Sequence, residues 1–121
     1  MIWSKTETMS RKEIEEIQLS RLKETVSYIY ERVPAYKKKM DEIGVRPEHI
    51  QTLKDLQKLP FNTKEDFRQN YPTGLFAVPK KELVRVHASS GTIGKPTIVG
   101  YTRKITNWLE RIIKLMHQCV K

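Results

Sequence analysis

The chain has 121 residues, 38% of them hydrophobic, with a formal net charge of +9, which suits one modest core of a basic protein. A lone Cys119 excludes a disulfide framework, and three scattered histidines give no zinc spacing. Residues 1–10 hold no apolar leader core and no run approaches the ~18 apolar residues of a membrane span, so the expectation is a cytoplasmic protein without a membrane partner.

Residues 1–9 show no periodicity and read as a loose lead. Ser10 and Glu13 form a capping box, after which Ile14, Ile17, Leu22, Val26, Ile29 and Val33 trace one helical stripe. Pro34 disfavours α geometry at Val33 and predicts a break there. A second helix is expected from Ala35 to Ile43, ending at Gly44, with Lys37, Lys38 and Lys39 on a solvated face. Thr52 opens a short turn near Leu53–Gln57, and Thr63 with Asp66 starts a short helix ending near Asn70. The aromatics Tyr28, Tyr30, Tyr36, Phe61 and Phe67 read as packing residues. Tyr71 to Gly74 is a turn, and Ala77 to Lys81 is a loop.

Two β-type runs follow, Leu83–Ala88 and Thr97–Tyr101, and His87 reads as a structural residue near a strand end. Thr102 is a candidate N-cap for a final helix over 103–120, whose apolar face holds Ile105, Trp108, Leu109, Ile112, Met116 and Val120. The expected fold class is therefore α+β. A mainly helical region over 10–70 precedes a hairpin over 83–102 and the final helix, all within 1–121.

The stretch between the strands is the most informative. Ser89, Ser90 and Thr92 offer hydroxyl donors, Gly91 and Gly94 let backbone approach a ligand closely, and Lys95 adds a point charge. Such a loop has the chemistry to grip a polyphosphate. It is not a Walker A loop. Five residues before Gly94 stands Ser89 rather than glycine, Pro96 follows Lys95 where Ser or Thr is required, and a strand follows instead of a helix. Charge is concentrated nearby: residues 80–121 carry +7 and residues 1–79 carry +2. A cationic surround attracts polyanions such as ATP and CoA. Nucleic acid is not expected, because no helix-turn-helix, RNP or zinc signature is present.

Ser89-Ser90-Gly91-Thr92-Ile93-Gly94-Lys95-Pro96-Thr97 resembles the phosphate loop of the adenylate-forming acyl-CoA synthetases. The flanking His87-Ala-Ser-Ser-Gly and Val99-Gly-Tyr-Thr resemble the phenylacetate-CoA ligase branch. So do Arg21-Leu-Lys-Glu-Thr-Val-Ser-Tyr, Val33-Pro-Ala-Tyr-Lys and Leu59-Pro-Phe-Asn-Thr-Lys-Glu-Asp-Phe-Arg. The resemblance covers Gln18 to Thr102. Ile93 departs from it, standing where the family usually has a second threonine; one lost hydrogen bond of roughly 0.5–1.5 kcal/mol weakens nucleotide binding without abolishing it. Arg103-Lys104 runs directly into Ile105 where the family usually continues with an acidic residue.

The resemblance implies ATP-dependent activation of a small aryl acid, with ATP and magnesium as cofactors and CoA as co-substrate. It implies that Ser89, Ser90, Gly91, Thr92, Gly94 and Lys95 hold the β- and γ-phosphates. A family enzyme is several times longer, so the resemblance implies that 1–121 is a partial N-terminal, AMP-binding domain, with the adenine-binding segment, the magnesium ligand, the ribose-binding aspartate and the catalytic lysine expected outside these residues. The isolated chain is then expected to be inactive and, with hairpin edges unpaired, a homo-oligomer. The rival reading is a non-catalytic module that binds a phosphate-bearing ligand or a partner protein.

Overall fold

The computed structural model describes residues 5–89 and 96–110. The chain divides into two compact units, Met1–Phe61 and Asn62–Lys121.

The first unit is built on α1 (Arg11–Arg32) and α2 (Pro34–Glu42), preceded by one 3-10 turn, Lys5–Thr8, in the lead. Ser10 caps α1 as its spacing predicts: its backbone N–H donates to Glu13 Oε2 at 2.8 Å, and its Oγ accepts the Glu13 N–H at 3.3 Å. The Ser10 hydroxyl, which also donates to Glu13 Oε2 at 2.7 Å, and then the Ser10 N–H hold the Glu13 carboxyl below its ordinary range. Val33 ends one helix and begins the next. Its extended backbone (φ −118°, ψ 90°) is the conformation that the following proline imposes. Its N–H donates to Ile29 O at 2.9 Å, and its own carbonyl accepts Lys37 N–H at 2.9 Å. Pro34 sits where a missing N–H costs nothing. Gly44 takes φ +68°, and the chain then turns so that Val45 N–H returns to Met40 O at 2.9 Å.

Two 3-10 turns complete the unit, Pro47–His49 and Leu53–Lys58. Asp55 anchors the second. Its carboxylate accepts from Lys58 Nζ at 2.6 Å, Thr52 N at 2.7 Å, Thr52 Oγ1 at 2.9 Å and Gln51 N at 3.0 Å. The Lys58 ammonium and then these hydrogen bonds hold it far below the usual carboxylate range. The buried apolar residues are Val26, Val33, Tyr36, Met40 and Ile50. Tyr36 also donates its phenol to Pro60 O at 2.9 Å, and Lys39 Nζ donates to Phe61 O at 3.0 Å, so α2 holds the strand-like Leu59–Phe61 stretch.

The aromatics divide. Tyr36 is packed as expected, whereas Phe61 is 89% exposed and Tyr28 and Phe67 are also exposed. Tyr28 lies under the Arg32 guanidinium at 4.9 Å, and Tyr30 donates its hydroxyl to Asp41 Oδ1 at 2.6 Å. Tyr28 stands two residues from buried Val26, on another side of α1, and Arg32 one turn on covers it, whereas Tyr30 shares the Val26 face, is half-buried and reaches Asp41 of α2.

The second unit begins with α3 (Lys64–Gln69), capped by Thr63, whose N–H and Oγ1 both donate to Asp66 Oδ2, at 2.6 and 2.9 Å. A turn over 71–75 and a 3-10 turn, Lys80–Glu82, lead into an antiparallel hairpin of β1 (Leu83–Ala88) and β2 (Ile98–Thr102). Residues 103–110 form a helix, α4. The expected helix over 103–120 lies beyond the described residues from 111 onward. Helices with one two-stranded antiparallel sheet make an α+β fold. Among the described residues no helix is long and apolar enough to cross a membrane.

Candidate functional site

The hairpin positions the site, and its register determines which side chains share a face. Directly paired residues on antiparallel strands point to the same side. Arg85 pairs with Tyr101 and His87 with Val99, so these four share one face. Val86 pairs with Gly100 and Ala88 with Ile98 on the other face. Strict alternation along β1 would place Leu83 with Arg85. A bulge between them breaks the alternation, and Leu83 pairs with Thr102 on the apolar face instead. Gly100 fits closely there: a Cβ would come within 2.9 Å of Leu83 Cδ2 and 3.0 Å of Phe76 Cε2, so these side-chain ends would have to shift. Its bare backbone lets Leu83 and Phe76 close over this end of the sheet.

β2 begins one residue later than expected, at Ile98 rather than Thr97. Ser89 is the cause. Its N–H donates to Thr97 O at 3.0 Å, which extends the ladder, but Thr97 N–H is taken by Ser89 Oγ at 3.1 Å instead of a strand carbonyl. Ser89 thereby closes the neck of the loop, and among the described residues its hydroxyl hydrogen has no acceptor. Ser89 is exposed and lies one residue past Ala88, at the open end of the hairpin. Ser90, Gly91, Thr92, Gly94 and Lys95 lie outside the described residues.

One feature of the mixed face was not foreseen from the sequence. Arg85, His87 and Tyr101 form one wall, and Thr106, Leu109 and Glu110 of α4 the other, of a cleft of about 310 Å³. The His87 and Tyr101 rings sit 5.0 Å apart at 57°. His87 is exposed on this face rather than buried in a core. By parity of pairing, Ser89 with Thr97 continues the same face as His87 with Val99. The cleft and the loop neck therefore open on one side of the ribbon. Thr102, expected as the cap of the final helix, closes β2 and accepts the Thr106 hydroxyl through its carbonyl at 3.1 Å. Among the described residues, no group of three or more His, Cys, Asp or Glu side chains is placed to hold a metal ion.

No family model matches the chain. Its sequence is 55% identical over 97 residues to the phenylacetate-coenzyme A ligase of Thermus thermophilus, covering 80% of this chain and 22% of that enzyme. Against the Escherichia coli phenylacetate-coenzyme A ligase it is 52% identical over 103 residues, covering 84% of this chain and 24% of that enzyme. Among solved structures it resembles 2-hydroxyisobutyryl-CoA ligase in complex with 2-HIB-AMP and CoA in the thioesterification state. There the TM-score is 0.73 and the identity 33%, over 79% of this chain and 21% of that one. The same ligase in its postadenylation state with 2-HIB-AMP gives a TM-score of 0.71 at 31% identity. The chain thus spans less than a quarter of the length of the curated relatives it matches.

Proposed function

This chain belongs to the phenylacetate-coenzyme A ligase family, as a segment matching 22–24% of its members, and we propose that it is the phosphate-gripping part of an ATP-dependent arylacetate–CoA ligase. The observation that carries the reading is sequence identity near one half over four fifths of the chain. The structure adds a hairpin whose open end, closed at the neck by Ser89 and Thr97, leads into the hydroxyl- and glycine-rich loop.

In this reading the acid's carboxylate oxygen attacks the α-phosphorus of ATP, the bond to the bridging oxygen breaks, and pyrophosphate leaves. The CoA thiol then loses its proton and attacks the acyl carbon, and AMP leaves with the bonding pair. Ser89, Ser90, Gly91, Thr92, Gly94 and Lys95 hold the β- and γ-phosphates. Backbone N–H groups, hydroxyl donors and the lysine charge stabilise the departing pyrophosphate electrostatically. Magnesium accompanies the ATP phosphates, and we assign it to no residue of this segment. The reaction is placed in the cytoplasm.

Because the segment spans under a quarter of its relatives, we propose that turnover requires residues beyond the matched quarter. The longer ligase is expected to show arylacetate-dependent ATP–pyrophosphate exchange, and the purified 121-residue chain is expected to show none with ATP, magnesium, phenylacetate and CoA. Substrate-dependent pyrophosphate release by the short chain would overturn this division of labour.

The isolated chain is further proposed to self-associate. Val84 and Val86 of β1 and Val99 of β2 are exposed, both strands are sheet edges, and Ile105 and Trp108 of α4 are exposed as well. A lone hairpin is marginal in water and its edges recruit further strands. Light scattering on a dilute sample is expected to give a dimer or larger species; a monomer mass with a cooperative melt would refute it.

A further inference from the structure

Pairing of Leu83 with Thr102 closes one end of the ribbon and brings two short cationic stretches together there. Lys80 and Lys81 lie in the 3-10 turn entering β1, and Arg103 and Lys104 open α4 directly after β2. All four side chains are exposed, and among the described residues none of them makes an ion pair or hydrogen bond. Glu82 is the one acidic residue within the two stretches. Like charges gathered at one place repel, and Arg103 and Lys104 also stand in a first helical turn, where the dipole disfavours cations. The arrangement is unfavourable within the chain itself, and an anionic ligand would relieve it.

The phosphate loop starts at the opposite end of the ribbon, after Ser89. Six residue steps along the strand separate Ser89 from Leu83, about 20 Å at ~3.3 Å per residue. ATP carries its charge in one contiguous triphosphate, which can engage only one end. Coenzyme A has a different layout: a 3′-phosphate and a diphosphate at one end, and the reacting thiol at the far end of a long flexible arm. We propose that Lys80, Lys81, Arg103 and Lys104 form a second anion site that takes the phosphate-rich nucleotide end of coenzyme A, with the thiol arm extending along the ribbon toward the loop. Lysine ammoniums supply point charges and the Arg103 guanidinium a planar fork, a combination suited to clustered phosphates. This rests on the ligase reading above.

Calorimetric titration of the whole 121-residue chain with CoA, 3′-dephospho-CoA and ATP tests it. CoA is expected to bind several-fold more tightly than dephospho-CoA. The quadruple variant Lys80→Gln, Lys81→Gln, Arg103→Gln, Lys104→Gln is expected to weaken CoA by about tenfold or more while ATP changes less than about twofold. Unchanged CoA affinity in the variant, equal loss of both nucleotides, or equal affinity for CoA and dephospho-CoA overturns the proposal. So does a single-stranded oligouridylate that outcompetes CoA, which would make the patch a nucleic-acid surface. Should the quadruple variant lose its helical circular dichroism, the two double variants are read instead, each expected to weaken CoA about threefold. The comparison with dephospho-CoA needs no variant at all. Failure of the ligase reading shows elsewhere, as absent arylacetate-dependent pyrophosphate exchange in the longer protein.

Discussion

Lys95→Ala in the longer ligase is expected to lower the rate of adenylate formation about a hundredfold while leaving the melting temperature nearly unchanged. The argument begins with what the loop lacks. A Walker A loop runs into a helix whose N-terminus adds positive potential to the phosphates. Here Thr97 runs into a strand, so no helix dipole faces the loop from that side. Loop hydroxyls and backbone N–H groups carry partial charges, and Lys95 is the full charge among the proposed phosphate-binding residues. Removing a preorganised charge contact to a transition state costs on the order of 3 kcal/mol, about a hundredfold in rate. A lysine in a glycine-rich loop has little packing to lose, so stability is spared. ATP–pyrophosphate exchange with phenylacetate measures the effect. Exchange at the normal rate would remove Lys95 from the chemistry.

Ile50→Ala is expected to destabilise the first unit by about 2–5 kcal/mol, the usual range for truncating a buried isoleucine. Ile50 is 0% exposed, as is Met40, and the two share a small core with Val26, Val33 and Tyr36. Ile50 caps the Pro47–His49 turn, with its N–H donating to Pro47 O at 3.1 Å. Among the described residues after Gly44, its side chain is thus the fully buried apolar anchor. In a core of so few residues there is little to collapse into the space left behind. Whole domains are stable by only about 5–15 kcal/mol, so this one truncation removes a large share. Urea denaturation followed by circular dichroism reads it, with Phe61→Ala as the contrast. Phe61 is 89% exposed, and its loss is expected to stay within about 0.5 kcal/mol. A cost for Ile50→Ala below about 1 kcal/mol would contradict the assignment of the core.

The two residues also mark how far the sequence could be read. Local hydrogen bonds were legible. Ser10 with Glu13 and Thr63 with Asp66 each join residues three apart, and both form; Thr52 opens its turn as expected, held there by Asp55, which was not foreseen. Val33 before Pro34, and Gly44 with positive φ, act on the backbone at their own positions and are found as expected. Burial was less legible, because Ile50 and Phe61 differ only in what the distant chain places over them. The strands were foreseen to within one residue, and the error at Thr97 arose from a side chain, Ser89 Oγ, taking a ladder hydrogen bond. The cleft between the hairpin and α4 could not be seen before the register was known. It depends on Arg85 facing Tyr101, a cross-strand relation that alternation along one strand does not contain. The phosphate loop itself was read from residue types and resemblance, and that remains its support.

The bulge between Leu83 and Arg85 has a consequence for how this segment can change over time. It acts as a phase shift in the ribbon. On its far side, the face on which the loop neck opens is fixed by the pairs from Arg85 onward. On its near side, the greasy anchor at Leu83 is fixed separately, by Phe76 and the bare backbone of Gly100. A substitution that shifts Leu83 therefore leaves the side chains that border the loop in place. The apolar anchor and the face that borders the loop are set by separate contacts on either side of a single peptide step.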